Sequence, residues 1–107
     1  MTTDEQVSDV TVDGDVALVK SGTPTKSLAV YIVTAFTKDK QTEVKLRGIG
    51  AGAVNQMVKA VISAKSRLVE KGIKVTFDSY YKDVKSKYNA DEQISAIEFL
   101  IKFENNG

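Results

Sequence analysis

Three glycines at alternate positions, Gly48, Gly50 and Gly52, close a strand-like run and open a long amphipathic one in "RGIGAGAVNQMVKAVISAK", residues 47–65. Glycine admits positive φ and lets a ligand or another backbone approach closely. A helix that begins here presents unpaired N–H groups and a partial positive charge, which suits an anion. Asn55, Gln56 and Lys59 follow in its first turns. They could line an anion or base-contact surface, or cap the helix and face another subunit. A second group is "SYYKDVKSKYNAD", residues 79–91, where Tyr80, Tyr81 and Tyr88 interleave with Lys82, Lys85 and Lys87. Lysines neutralise phosphates without reading sequence, and exposed tyrosines stack on unpaired bases for about 1–3 kcal/mol each. The bland alternative is that the tyrosines pack against a sheet and the lysines solubilise a loop.

Other chemistry is missing. The chain has no histidine and no cysteine, so the usual general base and the thiol nucleophile are absent. Asp78, Asp83, Asp91 and Glu92 could ligate a divalent cation, but their spacing forms no recognised metal loop. "GIGAGA" satisfies the loose G-x-G-x-x-A pattern of dinucleotide-binding proteins. That motif needs the first strand of a repeated βαβ sheet and an acid about 20 residues on, at the tip of the next strand. Here the turn follows a second strand, and no further βα unit comes after it. No GK[ST] phosphate loop is present either. The glycines are left with two readings, tight strand–helix packing or an anion seat, and no cofactor is expected.

The elements that must hold these residues follow from periodicity. "VALVK" (16–20) reads as a strand and "SGTPTKS" as a turn holding the single proline, Pro24. Leu28, Tyr31, Ile32, Ala35 and Phe36 fall on one face of a helix. "TEVKLR" (42–47) alternates Val44 and Leu46 inward with Glu43, Lys45 and Arg47 outward. After the glycines, Val54, Val58, Val61, Ile62, Leu68 and Val69 keep a 3.6-residue period that Gly72 can stop. "IKVTFDSYY" (73–81) and "ISAIEFLIKF" (94–103) alternate as strands, with a polar link suited to a long hairpin between them. The expected fold is α/β in the two-layer sense, an α+β sandwich of order β-α-β-α-β-β. Two helices would cover one face of a four-stranded mixed sheet.

A chain of 107 residues makes one domain with a single modest core, and 42% hydrophobic with 27% charged residues is ordinary globular composition. The net charge of +1 conceals an asymmetry. Residues 1–15 carry Asp4, Glu5, Asp9, Asp13 and Asp15 without a Lys or Arg, which leaves 15 basic against 9 acidic side chains in residues 16–107. We therefore expect residues 1–15 to be an acidic, flexible tail, apart from a short edge strand that "VSDVTVDG" could add, and residues 16–107 to be a basic domain. The tail could screen a polyanion site or compete for it. The acidic N-terminus does not resemble a secretion signal, and no apolar run reaches the roughly 20 residues of a membrane span. A cytoplasmic location without membrane partners is the expectation.

The run "IGAGAVNQMVKAV" (49–61) closely resembles the same region of the stage V sporulation protein S family, small bacterial proteins with an Alba-like fold. The similarity is dense over residues 45–65 and collinear over 16–103. The wider Alba superfamily of chromatin and RNA-binding proteins shares the derived element order and an Arg-Gly turn, here Arg47-Gly48. The resemblance implies an Alba-like two-layer fold, a homodimer, and DNA or RNA binding without catalysis. It implies contacts from a lysine motif at the start of the first helix, matched by Thr25-Lys26, from the Arg-Gly turn, and from the closing hairpin. This chain keeps one lysine of that motif, adds the acidic tail, and has a longer hairpin than the sporulation family. The expected nucleic-acid site is Lys26, Arg47, Gly48, Gly50, Gly52, Asn55, Lys59, Tyr80, Lys82, Lys85, Lys87 and Tyr88. A protein–protein adaptor on the same fold, and a small-anion or nucleotide module at the glycine turn, are the alternatives.

Overall fold

The computed structural model describes residues 10–86 and 91–105. The order is β1 (Thr11–Asp13), β2 (Val16–Val19), α1 (Thr25–Thr37), β3 (Glu43–Gly48), α2 (Ala51–Val69), β4 (Ile73–Lys85) and β5 (Gln93–Asn105). They form one sheet ordered β1-β2-β3-β5-β4 with both helices on one side. The expectation of four strands is corrected to five. The extra strand is Thr11–Asp13, which pairs antiparallel with β2 from Thr11↔Leu18 to Asp13↔Val16. The two-residue connection Gly14-Asp15 makes this possible, because Gly14 adopts φ +66°, the positive value a tight hairpin requires at its first central position. Of the expected tail, residues 1–9 lie outside the described residues.

β2 and β3 are parallel, Val16↔Lys45 to Val19↔Gly48, with α1 as the crossover. β5 then pairs antiparallel with β3, and β4 with β5 over thirteen residue pairs. In β3 the alternation holds, with Val44, Leu46 and Gly48 buried beneath the helices and Glu43, Lys45 and Arg47 on the other face. Phe99, Ile101 and Phe103 bring β5 into the same core. α1 contributes Leu28, Ala29, Ile32 and Ala35, and ends where Lys40 takes φ +58° so that Gln41 N–H reaches the Ala35 carbonyl at 2.9 Å. That left-handed residue closes the last turn, a place usually given to glycine. α2 stops at Gly72, which has φ +79° and donates its N–H to Val69 O at 3.0 Å.

The buried side of α2 differs from the expected one. Ala53, Met57, Ala60, Val61, Ala64 and Leu68 face the core, while Val58, Ile62 and Val69 are exposed, Ile62 by 59%. The reason is distance. A Cβ placed on Gly48 would lie 2.7 Å from Met57 Sδ and 3.0 Å from Ala53 Cβ, so helix and strand approach more closely than larger residues allow. Val58, Ile62 and Val69 are left on the flank towards β4, an edge strand of the sheet among the described residues.

Candidate nucleic-acid interface

Because β2 and β3 are parallel and each runs into a helix, the turns that begin α1 and α2 lie side by side at the carboxyl ends of the two strands. Open α/β sheets commonly receive ligands at such an end. The β2–α1 turn is closed by its own hydrogen bonds. Thr23 N–H donates to Lys20 O at 3.0 Å, and Lys20 N–H donates to Thr23 Oγ1 at 2.8 Å. Gln56 Nε2, from α2, donates to Thr23 O at 2.7 Å and ties the turn to the long helix. Between the turns lies a groove of about 490 Å³, lined by Lys20 and Ser21 on one side and Arg47, Ile49, Gly50 and Gly52 on the other. A neighbouring hollow of about 550 Å³ extends from Lys20 and Ser21 to Pro24, where α1 begins.

The three glycines do different work. Gly48 is buried and permits the close seat of α2 described above. Gly50 has open space around its Cα and φ +91°, so its role is conformational: it turns the chain into the helix. A Cβ on Gly52 would meet Ser21 Cβ at 2.7 Å, so Gly52 lets the two turns close on each other. The helix begun at Gly50 has no side-chain cap, and its first intrahelical bond is Val54 N–H to Gly50 O at 3.2 Å. The amides before it point out of the helix end beside the groove.

Arg47 is not a free cation. The register places Glu98 directly opposite it and Tyr80 opposite Glu98, on the sheet face away from the helices. Arg47 Nε donates to Glu98 Oε2 at 2.9 Å, and an Arg47 terminal nitrogen lies 2.8 Å from the same oxygen. Tyr80 Oη donates to Glu98 Oε1 at 2.8 Å. Glu98 is only 3% exposed. Loss of hydration and then the bond to Glu98 push the Tyr80 hydroxyl up to about 12. Nearby, Lys45 pairs with Asp15 at 3.5 Å.

The expected site residues therefore separate. Arg47, Gly50 and Gly52 share the groove. Lys26 is exposed in the first turn of α1, next to the hollow that ends at Pro24. Tyr80 and Lys82 lie on the same sheet face as Arg47, whereas Lys85 is on the opposite face of the arm. Asn55 lines a different groove of about 570 Å³, with Val54, Val58, Tyr81, Ser95 and Ile97. Lys59 is exposed on α2 and lines neither groove. Lys87 and Tyr88 lie outside the described residues. Sequence reasoning did not single out Lys20 and Ser21. The available signal was the polar "KSGT" turn at the end of a strand parallel to β3.

The profile of the stage V sporulation protein S (SpoVS) family matches residues 15–104. The chain belongs to the stage V sporulation protein S family. No curated protein matches it in sequence. Among solved structures, Alba from Thermoplasma volcanium is similar in fold, with a TM-score of 0.53 and 14% identity, covering 79% of this chain and 98% of that one. This SpoVS chain thus has an Alba-like fold with a five-stranded mixed sheet. Among the described residues, no helix is long and apolar enough to cross a membrane.

Proposed function

We propose that this SpoVS protein is a non-enzymatic, cytoplasmic nucleic-acid-binding protein that works as a homodimer, a regulator or nucleoid-associated factor serving sporulation. The observation that carries the reading is the groove between the two helix starts. It combines Lys20 and Ser21, the uncapped amides after Gly50, and the edge of Arg47. Polar donors and a partial positive charge in an open hollow suit the phosphates of DNA or RNA, which would give affinity without base choice. Lys26 extends this surface along α1, and Lys82 extends it along the open sheet face. Asn55, Lys59 and Lys85 lie outside this path.

Dimerisation is supported by the second flank of α2. Val54, Val58, Ile62 and Val69 run along the helix beside Phe77 and the 79%-exposed Tyr81, an apolar surface that a second copy would cover. A dimer doubles the number of phosphate contacts. Fluorescence anisotropy with labelled DNA and RNA tests the reading. Binding at low salt that weakens steeply at moderate salt is expected. Flat curves for both polymers at low salt would discard it. Deleting residues 1–9, which leaves β1 in place, should tighten binding if the acidic segment competes for the site.

Two observations favour the adaptor alternative: Arg47 is already neutralised by Glu98, and Lys82 and Lys85 lie on opposite faces of the arm. An adaptor would keep the dimer while showing no polyanion binding.

A further inference from the structure

We propose that Glu98 holds down the affinity of this surface for polyphosphates by cancelling the charge of Arg47, whose outward donors stay open to a phosphate oxygen. The proposal rests on the nucleic-acid reading above. Among the residues that line the groove, Arg47 and Lys20 are the cations, and Arg47 has its charge cancelled inside the protein. The cancelling carboxylate is buried and engaged through both oxygens, Oε2 by the guanidinium and Oε1 by Tyr80. A carboxylate so placed cannot turn away into water. It is a fixed counter-charge, unlike the exposed Asp15 beside Lys45.

Arg47 itself is only partly covered, with 22% of its side chain exposed, and a guanidinium carries five N–H donors. Two of its nitrogens are turned to Glu98 Oε2, so outward donors remain for an incoming phosphate. Such a phosphate meets a neutral pair and not a cation. It gains hydrogen bonds but releases little counterion, and affinity is held low. Tyr80 is withdrawn by the same residue. Its hydroxyl is committed to Glu98, which fixes the ring on the open sheet face. One acidic side chain therefore governs two of the residues a polyanion would otherwise use.

The test is anisotropy of a short duplex DNA across a salt series, with the unmodified protein, Glu98→Gln, Arg47→Gln/Glu98→Gln and Glu70→Gln. Glutamine keeps an acceptor for Arg47 or Tyr80 but removes the charge. The double variant replaces the ion pair by a neutral pair. Glu70→Gln makes the same change in net charge at the far end of α2. We expect Glu98→Gln to bind at least about threefold tighter at low salt, with a salt slope steeper by about 0.9, the value of one added phosphate contact. The double variant should return to the unmodified affinity, and Glu70→Gln should move it little.

Binding by Glu98→Gln that equals or falls below that of the unmodified protein overturns the proposal and leaves the nucleic-acid reading intact. So does an equal gain in Glu70→Gln. Absence of binding by every form at low salt removes the nucleic-acid reading itself. Should Glu98→Gln not fold, the Nε resonance of Arg47 in the unmodified protein serves instead. It should shift as duplex is added, and a still resonance while groove amides shift would overturn the proposal.

Discussion

α2 carries two apolar flanks, one buried against the sheet and one exposed. Towards the sheet it presents Ala53, Met57, Ala60 and Ala64, with Val61 and Leu68 completing the layer. Towards the β4 edge it presents Val54, Val58, Ile62 and Val69. Hydrophobicity alone would send the second set inward. The close seat over Gly48 turns Ala53 and Met57 to the sheet, which sets the rotation of the helix and leaves the second set on the outer flank. The same helix is a core element on one side and carries an exposed apolar flank on the other.

The largest expected effect separates the flanks directly. Leu68→Ala should cost about 2–5 kcal/mol of unfolding free energy, since it opens a cavity in a fully buried layer. Ile62→Ala, on the other flank, should stay within about 0.5 kcal/mol for the isolated chain. Chemical denaturation of both variants at low protein concentration checks this. Similar losses would mean that the flanks are not distinct.

Next comes the seat itself. Gly48→Ala brings a methyl group against Ala53 Cβ and Met57 Sδ and should destabilise by about 1–3 kcal/mol through overpacking. Gly50→Ala tests a different property, because its Cβ meets open space and only the positive φ opposes it. A larger loss at Gly50 than at Gly48 would show that conformation, and not close contact, dominates this turn.

The proposed dimer is addressed by Ile62→Asp on the exposed flank, which should give monomers in sedimentation while leaving the circular dichroism of the chain unchanged. An unchanged sedimentation coefficient would place self-association elsewhere.

Smaller effects follow from single groups. The Tyr80 hydroxyl is raised to about 12 in the folded chain, from an ordinary value near 10. Its contribution is therefore complete below pH 10 and is lost as pH rises towards 12. Tyr80→Phe should flatten that alkaline loss in a stability-versus-pH series. Lys40→Gly should stabilise slightly, by about 0.5 kcal/mol, by relieving a left-handed lysine at the end of α1.

These contrasts also explain what could be read in advance. The alternation of Val44 and Leu46, the strand pattern of Phe99, Ile101 and Phe103, and the stop at Gly72 are local signals, and the structure agrees with each. The family was legible in a dense run of residues that the SpoVS profile spans. The fifth strand was weakly marked, because three exposed residues carry little pattern. The inner flank of α2 was hidden by its alanines, whose burial follows from helix–sheet distance and not from hydropathy. The Arg47–Glu98 pair joins positions 51 apart, and only the sheet register brings them together. Lys20 and Ser21 gain meaning only once β2 and β3 are known to be parallel, since that places their turn beside the start of α2.

In the proposed function, phosphates settle between the β2–α1 turn and the start of α2. Titration of ¹⁵N-labelled protein with a short oligonucleotide, followed by amide shifts, tests it most directly. The largest shifts are expected at Lys20–Thr23 and Gly50–Ala53, diminishing as salt is added. Shifts confined to the Val58–Ile62 flank or to the hairpin arm, with the two turns unmoved, would contradict it.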